Sequence, residues 1–170
     1  AIVVVSRAME QQIADMGAPA GAIHYSPYGV DTGQFTVTRP DMNPPVFIAV
    51  GRFVDKKAPH LVLLAFQQAL KTCPDMRLVM VGEGHLREAC RQMVCAFGLQ
   101  ASVELSGAKS SAEISQLLKG ARAFVQHSVS TSWGDSEGTP VSLLEAGAAG
   151  LPVVSTRHAG IPEIVIHGKT

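Results

Sequence analysis

Apolar residues in this chain fall into short blocks separated by amphipathic stretches, and after residue 45 the two kinds alternate without a break. The blocks at 46–50, 78–81, 103–105, 123–126 and 152–155 are nearly continuous runs, the pattern of parallel strands covered on both faces. The intervening stretches 59–71, 85–97, 112–119 and 140–149 carry helix formers and predict helices. Such an alternation predicts an α/β fold with a doubly wound, Rossmann-like parallel sheet, whose ligands lie at the carboxyl ends of the strands. Before residue 45 a β-branched run at 2–5 leads to Ser6, a capping residue for a helix over 7–16 that Gly17 and Pro19 close. A further apolar segment covers 22–25, and the Pro-rich, polar residues 36–45 read as a linker.

A length of 170 residues suits one domain with a real core. Lys+Arg and Asp+Glu both number 14, so no basic excess points to nucleic acid or to a strongly anionic membrane surface. Phosphate recognition must then be local. Cys73, Cys90 and Cys95 have no CxxC spacing and read as free thiols of a reducing cytosol. The six histidines contain no HxxxH pair, so there is no zinc signature. No apolar run reaches the roughly 18 residues of a membrane helix, and the opening AIVVV has no signal-peptide pattern.

The chemistry concentrates in EGTPVSLLE, residues 137–145. Pro140 lacks an N–H and has a fixed φ, which places it near a helix start, so the helix is expected to begin near Thr139. The unpaired N–H groups of Gly138, Thr139 and Val141, which flank Pro140 at the positive end of the helix dipole, would then form an anion site with Glu137 at its mouth. Glu145 follows on the same helix. In GRFVDKKAP, residues 51–59, Gly51 is followed by Arg52, Lys56 and Lys57 at a helix entrance. Cations there oppose the dipole unless an anion is bound. VGEGHLRE, residues 81–88, has Gly82 and Gly84 but Arg87 where a dinucleotide fingerprint needs its third glycine, so it reads as a tight turn beside a pocket. The terminal GKT lacks a P-loop's earlier glycine, since Glu163 stands there.

The Glu-to-Glu phrase, continued by AGAAGLPVVST and by AGIPEIV, resembles the retaining nucleotide-sugar glycosyltransferases of family 4, which have the two-domain GT-B architecture. The resemblance implies a donor-binding C-terminal half at 39–170, ending before the family's last strand and closing helix. Residues 1–38 would be the remnant of an acceptor domain and the crossing from it. The implied reaction moves a sugar from a UDP- or GDP-sugar to a hydroxyl acceptor, with retention. Glu137 would hold the sugar and Glu145 the ribose, while Arg52 and Lys57 take the diphosphate. Gly51, Gly82, Lys109 and the helix start would line the donor. Lys109 lies in SGAKSSAE, the loop that matches the family's base-contacting one, and Trp133 is a candidate sugar platform or loop anchor. No metal or other cofactor is implied. The acceptor, a sugar, lipid or small molecule, would be held by a missing domain, as would any peripheral membrane contact of a cytoplasmic full-length enzyme. Ala58, where the family has glycine, and Tyr28, where it has asparagine, depart from the pattern. A GT-B epimerase of nucleotide sugars and a non-catalytic nucleotide-binding module are the alternatives.

Overall fold

A computed structural model describes residues 1–170, Ala20 by its backbone alone. Five parallel strands form the main sheet in the order β5-β4-β3-β6-β7. They are β3 (Val46–Val50), β4 (Arg77–Val81), β5 (Val103–Gly107), β6 (Ala123–Gln126) and β7 (Val153–Ser155). The helices α2 (Pro59–Leu70), α3 (Arg87–Ala96), α4 (Ser111–Lys119) and α5 (Val141–Ala148) fill the crossovers. The chain winds outward from β3 through β4 to β5, returns, and continues through β6 to β7, so the doubly wound expectation holds and the direction reverses between β3 and β6.

Successive side chains of a strand point to opposite faces, so each strand serves two cores. One core packs Leu78 and Met80 of β4 under Val62, Leu63 and Phe66 of α2 and under Cys90 and Val94 of α3. The other packs Ile48 of β3 and Phe124 of β6 against Leu118 of α4 and Leu143 and Ala146 of α5. Burial pushes the Cys90 thiol up to about 11, consistent with a core residue rather than a reactive one. All three cysteines are free.

Most element ends shift by one or two residues. The shift that matters is in the helix expected near Thr139. It starts at Val141, with Pro140 as an extended N-cap at ψ 119°. α3 starts at Arg87 rather than His85, because Gly82 and Gly84 hold positive φ of 137° and 154° and keep that turn open. A β-carbon on Gly82 would collide with the Gly51 carbonyl, and one on Gly84 with the Phe53 carbonyl. The two glycines thus let neighbouring strand-to-helix turns clasp, with Phe53 N–H donating to the Glu83 carbonyl at 2.9 Å. α4 begins with a full capping box between Ser110 and Glu113.

The first 25 residues make a separate βαβ unit in which β1 (Ile2–Val4) pairs in parallel with β2 (Ile23–Tyr25) around α1 (Arg7–Asp15). Ser6 caps α1, accepting from Met9 N–H at 3.1 Å. The stretch read as a linker is tied down at both ends. Thr38 N–H donates to the Ala149 carbonyl at 3.0 Å, and Asn43 Nδ2 donates to the Ala121 carbonyl at 2.7 Å. Among the described residues no helix is long and apolar enough to cross a membrane.

Candidate functional site

The reversal point of a doubly wound sheet opens a crevice, because the loops leaving the two central strands turn to opposite faces. Here those loops are 51–58, after β3, and 127–140, after β6. The first folds as a short 3-10 turn at Asp55–Lys57 and reaches α2 through Ala58, which sits in the left-handed region at φ 39°. A non-glycine residue there costs about 1–2 kcal/mol, and the kink lays the Lys57 stem along Gly51, whose added β-carbon would meet Lys57 Cε at 3.6 Å.

Lys57 Nζ lies 2.6 Å from Glu137 Oε2, with side-chain exposures of 15% and 11%. Burial lowers the Lys57 pKa; Glu137 offsets part of that by favouring the ammonium, and Lys56 and Arg52 add to the lowering. Lys56 is engaged elsewhere. Its ammonium binds Asp135 Oδ1 at 2.9 Å and the Ser136 carbonyl at 3.3 Å, and its own carbonyl accepts from Val129 N–H at 2.8 Å. Arg52 is exposed on the same turn and lines one pocket with Gly51, Lys57 and His127. His127 is lowered by burial and by His60 and His158 nearby, and its Nδ1 is buried without a partner.

Of the expected helix-start donors, Val141 alone lies in the helix. Leu143 N–H is already bonded to the Pro140 carbonyl at 3.1 Å, which leaves Val141 and Ser142 as the first-turn donors. Pro140 has no N–H to give. Gly138 and Thr139 precede the helix, and Thr139, 6% exposed, donates its hydroxyl to the Val5 carbonyl at 2.9 Å. Glu145 is half-buried one turn into α5, and desolvation raises its pKa with no cation to oppose it. Gly82 sits against Gly51 beside the pocket. Lys109 is drawn to Glu113 at the start of α4, 3.4 Å away. Trp133, 68% exposed, stands at the tip of a turn that Thr131 and Asp135 close.

Sequence reasoning missed the far wall of loop 127–140. Glu163 Oε1 accepts from the N–H groups of Arg7 and Ala8 at 2.8 and 3.4 Å, capping α1 from 155 residues away, and its Oε2 accepts from the Tyr25 hydroxyl. Arg7 stacks over the Tyr25 ring at 3.9 Å. Gly138 and Gly160 make this fit possible. A β-carbon on Gly160 would stand 2.5 Å from the Gly138 carbonyl oxygen and 2.7 Å from Ser6 Cβ. The Glu at position 163 of AGIPEIV was visible in the sequence, but nothing local pointed it at α1.

Residues 32–170 match the family described as glycosyl transferases group 1. The chain belongs to that family. It is 32% identical over 165 residues to the amylovoran biosynthesis glycosyltransferase AmsK of Erwinia amylovora, covering 96% of this chain and 40% of AmsK. It is 29% identical over 181 residues to the GDP-mannose-dependent alpha-(1-6)-phosphatidylinositol monomannoside mannosyltransferase of Mycolicibacterium smegmatis, covering 99% of this chain and 47% of that enzyme. The crystal structure of Anabaena Alr3699/HepE in complex with UDP-glucose superimposes with a TM-score of 0.81 at 22% identity, over 98% of this chain and 47% of HepE. The group 1 chain therefore has the Rossmann-like fold found in GT-B glycosyltransferases, and it spans less than half the length of these relatives.

Proposed function

We propose that this chain is the donor-binding part of a retaining glycosyltransferase that moves a sugar from a UDP- or GDP-sugar to a hydroxyl acceptor without a metal ion. The observation that carries the reading is the Lys57–Glu137 pair at the sheet's reversal point, beside Arg52 and the start of α5. In the free chain the two charges neutralise each other. A bound diphosphate draws Lys57 and Arg52 to itself, and Glu137 is released to accept hydrogen bonds from sugar hydroxyls. Negative charge that grows on the departing diphosphate meets two fixed cations and the α5 dipole. Such preorganised stabilisation is often worth about 3 kcal/mol per donor. Glu145, whose pKa burial raises, is placed to accept from ribose hydroxyls, whose donation favours its charged form.

Relatives named as a GDP-mannose-dependent transferase and as a HepE complex with UDP-glucose support the nucleotide-sugar class and leave both bases open. We read residues 1–38 as belonging with the acceptor side and the crossing, and 39–170 as the donor domain, in a cytoplasmic enzyme. The test is calorimetry with UDP, GDP and ADP in EDTA. Binding of one nucleotide without divalent ions is expected, weakened by about 1–2 kcal/mol in Glu145→Gln and little changed in Glu137→Gln. No heat with any nucleotide removes the donor site, and equal losses in both variants reverse the roles given to the two glutamates.

A further inference from the structure

His127 lines a notch of about 30 Å³ at the sheet's reversal point, together with Gly51, Arg52, Lys57 and Gln126, and the donor-site reading leaves it without a role. We propose that His127 is a third member of the diphosphate site, one that hydrogen-bonds the bound diphosphate and takes up a proton as it does so, which couples donor binding to pH. The inference rests on the glycosyl-transfer reading above.

The ring is aimed by its neighbours. Gln126, at the end of β6 and 4% exposed, donates through Nε2 to the His127 carbonyl at 3.2 Å and to Ser128 Oγ at 3.0 Å. Ser128 N–H donates to Thr156 Oγ1 at 3.1 Å, and Val129 N–H donates to the Lys56 carbonyl at 2.8 Å. The backbone around His127 is thus pinned to the loop after β7 and to the turn after β3. Its Nδ1, by contrast, is buried and meets no hydrogen-bond partner among the described residues. A buried nitrogen left in that state costs about 1–3 kcal/mol, a cost that a ligand completing the bond removes. The notch has room for a water or for one phosphoryl oxygen, not for a sugar ring.

The charges around the ring select an anion. Arg52 and Lys57 share the notch from the turn after β3, His60 approaches from α2, and His158 from the loop after β7. The carboxylates of these turns are held by other groups: Glu137 by Lys57, Asp135 by Lys56, and Asp55 by His85. Burial and the two histidines keep the free ring below its ordinary pKa, and the Lys57 backbone alone works the other way. A diphosphate within reach of Nδ1 reverses that balance, because its negative charge favours the imidazolium, which has a donor on both nitrogens. A proton then enters from solvent as the ligand binds. Binding tightens as pH falls from the bound-state pKa of the ring to its free-state pKa, and is level outside that window.

The experiment is long-range proton–nitrogen NMR of the histidine rings, assigned through the backbone and followed between roughly pH 5 and pH 8, in the free chain and with saturating UDP or GDP in EDTA. The His127 ring should titrate low in the free chain and move up by about one pH unit with nucleotide bound, while His60 and His158 move less. Calorimetry in two buffers of different ionisation enthalpy should show proton uptake that His127→Gln loses. Between about pH 8 and pH 6 the affinity of the unaltered chain should rise about 3- to 10-fold relative to that variant; the nucleotide's own phosphate titration is common to both and cancels in the ratio. Nucleotide binding without an upward shift of the His127 ring overturns the proposal and leaves the donor site standing. Uptake that survives in His127→Gln assigns the proton to Lys57 and overturns it equally. If no nucleotide binds, the donor-site reading fails and this proposal with it. Should His127→Gln not fold, the ring titration of the unaltered chain decides alone.

Discussion

The loop from His127 to Pro140 is held on its two sides by different forces. Toward the β3 turn it meets charge: Lys56 on Asp135, Lys57 on Glu137. Toward α1 it meets shape: Gly138 against Val5 and Met9, Gly160 against Gly138, and a buried hydroxyl on the Val5 carbonyl. Charge contacts exchange for a ligand's charges with little movement of the backbone. Close-packed backbone does not exchange at all. A loop that must release one partner to bind a substrate, and keep its own position while doing so, needs one side of each kind.

Breaking the charged side should have the larger effect. Lys57→Met leaves the Glu137 carboxylate, 11% exposed, without its cation, and loss of one partner of such a pair costs about 3 kcal/mol. Urea unfolding should show that loss, and Glu137→Gln added to Lys57→Met should recover most of it. If the double variant is no more stable than Lys57→Met, the pair does not act as a pair. Gly160→Ala tests the packed side. The new methyl meets backbone at 2.5 Å, and overpacking of this kind costs about 1–3 kcal/mol. Hydrogen exchange should quicken in the first turn of α1 and at Ser6 while nucleotide binding persists. Unchanged exchange there would mean that the fit is looser than it looks.

The smallest effect compares Glu137 with Glu145, the carboxylate that has no cation. Burial raises the folded-state pKa of Glu145 above the usual 4.5. Between those two values the folded chain binds more protons than the unfolded one, so stability falls as pH rises through the window and the cost is fully present above it. Glu145→Gln should therefore stabilise the chain by about 0.5–1 kcal/mol at pH 7, and the gain should vanish near pH 4. Urea midpoints at the two pH values decide it; a gain that persists in acid would have a different origin.

The strands were legible because buried parallel strands announce themselves as short apolar blocks, and 46–50 and 123–126 coincide with the observed ones. The alternation implied a doubly wound sheet, but the place where its direction reverses, between β3 and β6, came from the structure. The helix start at 141 was misplaced because Pro140 serves a first turn and an extended cap equally well by its φ, and only the fold decides its ψ. The sequence pattern also left open whether Lys56 or Lys57 meets the site. The left-handed Ala58 turns Lys57 toward Glu137, and no propensity marks an alanine for that conformation. The Ser110–Glu113 capping box was written in the sequence as S-x-x-E and was readable. The Glu163–α1 contact was not, since it joins residues more than 130 positions apart.

Trp133 gives this arrangement an optical handle. It is the chain's one tryptophan, it stands 68% exposed at the tip of the loop that both kinds of contact restrain, and Lys56 anchors that loop two residues away through Asp135. Its emission is therefore a label-free signal confined to one segment, without the background of other indoles. Red-shifted and readily quenched by iodide in the free chain, it would report in a stopped-flow trace whether the loop reorders when a ligand exchanges for the charges that hold it.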